Sequence, residues 1–351
     1  MPRYKLIIAY DGTDFVGWQK QEPLDAQNAI VPGVTAYTSQ TPMIESTRPG
    51  RVALRSVQGV VERAVSEAVR EPVELVGASR TDSGVHARGQ VAAFTCGPYE
   101  GVMAEERAAR PGVLPGAGWP VERGADRLLL AINSRLPDDI VVLACEAVHP
   151  EFDPIGDVIS KGYSYAFHVS RSRPLWDRRF VHHIWHPRGL DVGAMDRAAQ
   201  ALVGEHDFAA FAAAGHGRLS TVRTIHELRV RAVEPLAGTG GSGGFARTEG
   251  AAAAGGLAVG GLAAGGLAAG GLAGGGDGAQ AERVVLSISG SGFLWNMVRI
   301  IAGTLMQVGL GQRSVEDVAA TLASRERARA GPTLRPEGLC LEWIRYRSAH
   351  Q

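Results

Sequence analysis

One carboxylate, Asp82, stands within Gly77 to Phe94 (GASRTDSGVHARGQVAAF), directly behind Arg80 and Thr81. Val73 to Val76 is a short apolar run before it, and Gln90 to Thr95 is a second run behind it. Both have strand composition, which puts Arg80, Thr81 and Asp82 at a strand exit. Loops carried by rigid strands often hold reactive groups. Gly84 and Gly89 would let the backbone turn sharply or approach a ligand closely. A carboxylate in that setting is a candidate reactive group. Taken alone, Thr-Asp-Ser-Gly also fits an ordinary hairpin whose Asp bonds its own turn amides.

The longer string Ala78-Ser79-Arg80-Thr81-Asp82-Ser83-Gly84-Val85-His86-Ala87 resembles the signature loop of the tRNA pseudouridine synthase A family, with Ser79 where many relatives have Gly. The resemblance recurs in order along most of the chain. Tyr10-Asp11-Gly12-Thr13 with Gly17-Trp18-Gln19 is similar to the family's opening, and Ala131 to Pro137 to its Ala-Leu-Asn-x-x-Leu-Pro segment. Lys161-Gly162-Tyr163-Ser164-Tyr165, Gly204 to Phe208, Gly292 to Arg299 (GFLWNMVR) and Pro336 to Leu341 continue it. The resemblance implies a metal-free, cofactor-free isomerase that converts uridine to pseudouridine in the anticodon arm of tRNA, at positions 38, 39 and 40. It also implies a homodimer with RNA running across both subunits. Asp82 would be the nucleophile, Arg299 its cationic partner and Tyr163 the ring against the target base, with Arg80 on the RNA.

Those roles suit the chemistry. Isomerising uridine breaks the bond from C1′ to N1, turns the loose uracil and rejoins it through C5. Asp82 could attack C1′ or C6, or abstract a sugar proton on a glycal route. A buried Asp drifts toward its neutral form unless a cation stands nearby, which is what Arg299 would supply. Tyr163 offers a flat face to the detached base. Arg80 would engage the RNA backbone or the gap left by a flipped nucleotide, because a stacked base cannot reach a carboxylate. The local alternatives are a helix-surface Arg299, a core Tyr163 and an Arg80 in a hairpin ion pair. Two rival functions share these residues. One is a catalytically silent RNA-binding protein of the same fold. The other is a nucleoside or glycoside hydrolase, although such enzymes pair two carboxyl groups and this loop has one.

The chain departs from the family in one stretch, where Pro154-Ile155-Gly156-Asp157-Val158 lacks the usual basic residue. Arg171, Arg173, Arg178, Arg179, His182, His183 and Arg188 form a basic run that could compensate, with Asp177 as its one acid. His182, His183 and His186 have no Cys or carboxylate beside them to complete a metal site.

Positioning these groups requires strands and helices in a definite order. Tyr4 to Tyr10 alternates as a strand and ends at Asp11-Gly12. Val57, Val60, Val61, Ala64, Val65 and Ala68 predict a helix behind a Ser56 cap, closed by Pro72. After the two strands around Asp82, Leu128 to Leu136 predicts a helix and Ile140 to Cys145 a strand. This is the β-α-β-β-α-β order of a ferredoxin-like unit. A second pass has strands at Tyr163 to Val169 and Phe180 to Trp185 and a helix from an Asp191 cap to Gly204. It continues with strands at Thr224 to Ala232 and Val284 to Ser289, helices at Met297 to Val308 and Val315 to Ser324, and a strand at Leu339 to Tyr346.

The expected fold is therefore α+β, two ferredoxin-like halves with mixed, mainly antiparallel sheets forming a cleft. Residues 1–152 would be the N-terminal half with the Asp82 loop, and 153–351 the C-terminal half. Three stretches read as insertions, about 22–55, 98–124 and 238–280. The last holds four Gly-Gly-Leu-Ala repeats starting at Gly255, Gly260, Gly265 and Gly270. So much Gly cannot offset its ordering entropy with burial, so a disordered hairpin tip is expected there.

Composition sets the outer bounds. No apolar run approaches the ~20 residues of a membrane span, and no secretory signal is visible, so the expected location is the cytoplasm. Cys96, Cys145 and Cys340 are too few and too scattered for a disulfide framework. Acidic and basic residues balance at 36 each, so a polyanion must be held by a local patch. All basic residues but Lys5, Lys20 and Lys161 are arginines. That bias suits phosphate and base stacking, and a GC-rich genome also produces it.

Overall fold

A computed structural model describes residues 1–21, 53–98, 106, 110–186, 189–213, 220–233 and 282–347. The insertion expected at 238–280, most of the one at 22–55, part of the one at 98–124, and Arg188 lie outside the described residues.

The chain opens with β1 (Arg3–Tyr10), α1 (Val57–Val69), β2 (Val76–Gly77), β3 (His86–Thr95), α2 (Ala125–Asn133) and β4 (Ile140–Val148). It continues with β5 (Val158–Val169), β6 (His182–Ile184), α3 (Val192–Ala199), β7 (Gly204–Asp207), β8 (Val222–Val233) and β9 (Arg283–Gly290). α4 (Met297–Gly309), α5 (Glu316–Ser324) and β10 (Leu339–Tyr346) complete it. The described strands form one mixed sheet in the order β4-β1-β3-β10-β5-β9-β8-β7, with β2 paired to β3 and β6 to β5. Among the described strands only β3 with β10 and β5 with β6 run parallel. The last strand is thus central, joining β3 to β5 and bringing the two ends of the chain into one layer.

Helix ends follow local chemistry. Ser56 Oγ accepts from the Gly59 amide at 3.2 Å, and Arg70 ends α1 with a left-handed φ of 65°. Asp191 caps α3 by accepting from the Ala194 amide at 2.8 Å. A 3-10 turn at Gln200–Leu202 follows, and Gly204 opens β7 with a φ of 112° that a side chain would resist. The main core lies between the helices and one sheet face, gathering Tyr4, Leu6 and Ile8 of β1 with Val61, Leu128, Met195, Ile300 and Leu305. A smaller cluster around Phe152 and Tyr346 closes part of the opposite face.

The run expected as a strand from Val73 to Val76 pairs only at Val76–Gly77. The Val73 and Leu75 amides donate instead to Ser66 Oγ and Glu62 Oε2 of α1, so that stretch lies between helix and sheet. Residues 110–124 run largely exposed and are anchored to the core through Gly118 and Trp119. Trp119 is buried, its carbonyl accepts from Tyr4 Oη at 2.9 Å, and Arg123 lies 3.7 Å over its ring. Gln21 and Leu54, on either side of residues 22–52, are joined by a backbone hydrogen bond of 3.0 Å. β8 and β9 are paired up to Val233 and Arg283.

Candidate active site

The loop between β2 and β3 is fastened along its length before Asp82 is reached. The Ala78 amide donates to Val91 O at 2.8 Å, and the Ala78 carbonyl accepts from Lys161 Nζ at 2.8 Å. Ser79 O accepts from Gln90 Nε2, a side chain with no exposed surface. Thr81 is held twice, its Oγ1 2.8 Å from Tyr10 Oη and its carbonyl 3.0 Å from the Trp18 amide. Gly17 makes that approach feasible. Its φ is 113°, and a Cβ there would lie 2.5 Å from Thr81 O. Beyond Asp82, the Val85 amide closes a turn on the Asp82 carbonyl at 3.1 Å, and Ser83 Oγ donates to Phe15 O at 3.2 Å. The motif pieces Tyr10 and Gly17-Trp18 are therefore the scaffold of this loop.

The second wall comes from the approach to α4. Asn296 enters the helix with a left-handed φ of 59°, and the sharp turn brings Trp295 and Arg299 to the same carboxylate. Trp295 Nε1–H donates to Asp82 Oδ1 at 3.2 Å, and Arg299 Nη1 stands 3.9 Å from Oδ2. Arg299 is itself aimed, donating through Nε to Leu334 O at 2.6 Å and through Nη1 to Asn296 Oδ1 at 2.8 Å. That second anchoring excludes the free helix-surface arginine that its position alone would allow. Burial raises the Asp82 pKa above its ordinary value, against the pull of the Arg299 charge and the Trp295 hydrogen bond. Even so, 39% of the Asp82 side-chain surface remains exposed, so a reactant can reach it.

Tyr163, from the middle of β5, forms the floor. Its Oη lies 3.0 Å from Ser79 Oγ, and its ring meets Phe293 edge-on at 5.2 Å and 83°. Burial first, then the Asp82 charge, pushes the phenol up to about 12, so it stays neutral across the physiological range. Of the residues singled out from the sequence, the fold brings Asp82, Tyr163 and Arg299 together. Arg80 points outward, exposed and without a hydrogen bond or ion pair among the described residues. The hairpin ion pair considered for it is not formed there.

Two contributors escaped the sequence reading. Trp295 lies just before α4, and only the left-handed Asn296 that follows it turns its ring toward Asp82, so no periodicity marks it. Ser79 was noted only as a departure, yet its hydroxyl contacts the Tyr163 phenol. His183 and His186 each have a ring nitrogen 2.9 Å from a backbone carbonyl, of Ser170 and Gly189 respectively. Among the described residues no three His, Cys, Asp or Glu side chains cluster as a metal site would require.

A family model described as tRNA pseudouridine synthase matches residues 198–347. The tRNA pseudouridine synthase A of Acetivibrio thermocellus is 31% identical over 346 residues, 99% of this chain and 100% of that protein. The Solidesulfovibrio magneticus protein of the same name is 33% identical, covering 99% of this chain and 92% of that protein. The tRNA pseudouridine synthase A 2 of Clostridium tetani is 30% identical, with 97% and 98% covered.

Proposed function

The chain belongs to the tRNA pseudouridine synthase A family, and from that premise we propose that it converts uridine to pseudouridine at positions 38, 39 and 40 of the tRNA anticodon arm, with Asp82 as the nucleophile. It is an isomerase of that family, and the reaction is balanced within the substrate. The bond from C1′ to N1 breaks and one from C1′ to C5 forms, while the proton lost from C5 is matched by one gained at N1. No oxidant or reductant is required.

The observation that carries this reading is the meeting of Asp82, Trp295, Arg299 and Tyr163, brought from three separate stretches of chain. Attack at C1′, attack at C6 and removal of a sugar proton all need Asp82 ionised. Arg299 and Trp295 oppose the burial that would neutralise it. Tyr163 presents a ring fixed by Ser79 and Phe293, against which detached uracil can stack while it turns. Arg80, exposed and without a partner among the described residues, contacts the RNA backbone or fills the gap left by the flipped nucleotide.

The N-terminal half (residues 1–152) and the C-terminal half (153–351) act as two ferredoxin-like units with the cleft between them. The protein works as a cytoplasmic homodimer. Incubating it with an unmodified tRNA transcript and mapping pseudouridine by sequencing tests the assignment. Pseudouridine at 38, 39 or 40 supports it, and modification confined to other positions refutes the site specificity.

A further inference from the structure

The crossover from β5 to β6, residues 170–181, is laid across one end of the sheet and tied to both sides of it. Asp177 pairs with Arg283 at the start of β9 at 3.3 Å. Two residues on, Arg179 reaches the opposite side, pairing with Asp11 Oδ2 at 3.4 Å and with Asp14. Phe180 sets its ring 4.9 Å from that of His86, the first residue of β3 and the end of the Asp82 loop. Pro174 is buried and Ser170 O is bonded to His183. The segment is thus a strap fixed at three points, one of them on the loop that carries Asp82.

What the strap holds outward is unusual for a water-facing loop. Trp176 is 90% exposed and Leu175 63%. Arg171, Arg173 and Arg178 are exposed around them, and Arg178 also donates to Leu175 O at 2.7 Å, which stiffens the tip. The one acid between Arg171 and Val181 is Asp177, already neutralised by Arg283. The outward surface is therefore an exposed indole flanked in the chain by arginines that form no ion pair among the described residues. A bare aromatic ring set among cations matches a nucleic-acid strand with unpaired bases, in which each base stacks and its phosphate meets an arginine. A purely phosphate-binding patch would not need the ring, and a purely apolar partner would leave the arginines without partners.

We propose that Trp176 with Arg171, Arg173 and Arg178 is a stacking subsite for an unpaired nucleotide of the RNA substrate, distinct from the pocket that receives the reacting uridine. The subsite rests on the reading of this protein as an enzyme acting on tRNA. Because the strap is anchored at Asp11 and His86, a base seated on Trp176 is held in fixed register with Asp82, and RNA grip is coupled to the reacting centre through a stiff connection.

Equilibrium binding of unmodified tRNA to full-length protein tests this, with Trp176→Ala, Trp176→Phe and Arg178→Ala compared over a range of salt. Base stacking of the usual strength gives a loss of about fivefold to a hundredfold in affinity for Trp176→Ala. Trp176→Phe, which keeps a ring, recovers most of it. Trp176→Ala leaves the salt dependence unchanged, whereas Arg178→Ala reduces the slope by about 0.7. Affinity of Trp176→Ala within twofold of the intact protein overturns the proposal. So does a smaller particle mass for Trp176→Ala in light scattering, which would place the indole between two copies of the chain. If tRNA binding depends on Trp176 but the intact protein forms no pseudouridine, the catalytic reading falls and the subsite stands.

Discussion

Trp295 donates its indole N–H to Oδ1 of Asp82 over 3.2 Å, while Oδ2 has Arg299 at 3.9 Å, beyond hydrogen-bond reach. One carboxylate oxygen is thus held by a hydrogen bond, while the other has only the more distant Arg299 charge. The donor favours the ionised form, and burial opposes it.

Replacing Trp295 by Phe keeps an aromatic ring and removes the donor. Burial then acts against Arg299 alone, with the neutral Tyr163 as the other group facing the site, so the Asp82 pKa rises further. On the proposed reading the reaction needs the carboxylate, so the acid limb of kcat/KM against pH moves to higher pH. The deficit of Trp295→Phe is greatest at low pH and shrinks as pH rises. A uniform loss at all pH values would assign Trp295 to packing alone.

Ser79 and Tyr163 form a buried pair at 3.0 Å. Ser79→Ala leaves the phenol without its partner at a cost of about 1–3 kcal/mol. Tyr163→Phe removes the other half. The double variant Ser79→Ala/Tyr163→Phe should be destabilised by less than the sum of the single changes, with a coupling of about 0.5–3 kcal/mol in urea unfolding. Additive effects would mean that the hydroxyls do not interact.

Tyr163→Ala removes the ring proposed to hold the detached base. Stacking of ordinary strength corresponds to a fall in kcat/KM of about fivefold to a hundredfold. Tyr163→Phe should lose much less, and equal losses for the two would contradict a stacking role.

Gly17→Ala places a methyl group 2.5 Å from Thr81 O at a φ of 113°. Backbone strain alone costs about 1–3 kcal/mol, and the clash forces the Thr81 carbonyl off the Trp18 amide. The melting temperature should fall, and activity should fall with it in protein that remains folded. An unaltered melting temperature would show that the loop yields freely.

How much of this was legible in advance depended on whether a residue's role was local. β1, α1, α4 and β10 follow from periodicity, caps and turn signals close to where they fall, because their apolar stripes face a core along their whole length. The strand before Asp82 shrank to Val76–Gly77 because side chains from α1, Glu62 and Ser66, took the amides of Leu75 and Val73, a long-range competition that propensity does not register. β7 was missed since four residues, Gly-Glu-His-Asp, carry no alternation strong enough to announce a strand. In the site, Asp82, Tyr163 and Arg299 were legible through their motifs. Trp295 was not, because its donor reaches Asp82 only after Asn296 has adopted a left-handed turn. The central place of β10, between β3 and β5, likewise depends on pairing between the two ends of the chain.

The central claim is that Asp82 carries the reaction. Its most direct measurement is tritium release from unmodified tRNA containing 5-tritiated uridine, by intact protein and by Asp82→Asn, at enzyme concentrations above the tRNA affinity of each. The amide keeps the shape of the side chain and its contact with Trp295 but cannot act as an anionic nucleophile. Release should fall on the order of 10³-fold or more, equivalent to about 4 kcal/mol in the barrier, while tRNA binding persists. Release by Asp82→Asn at a rate close to that of the intact protein would contradict the account.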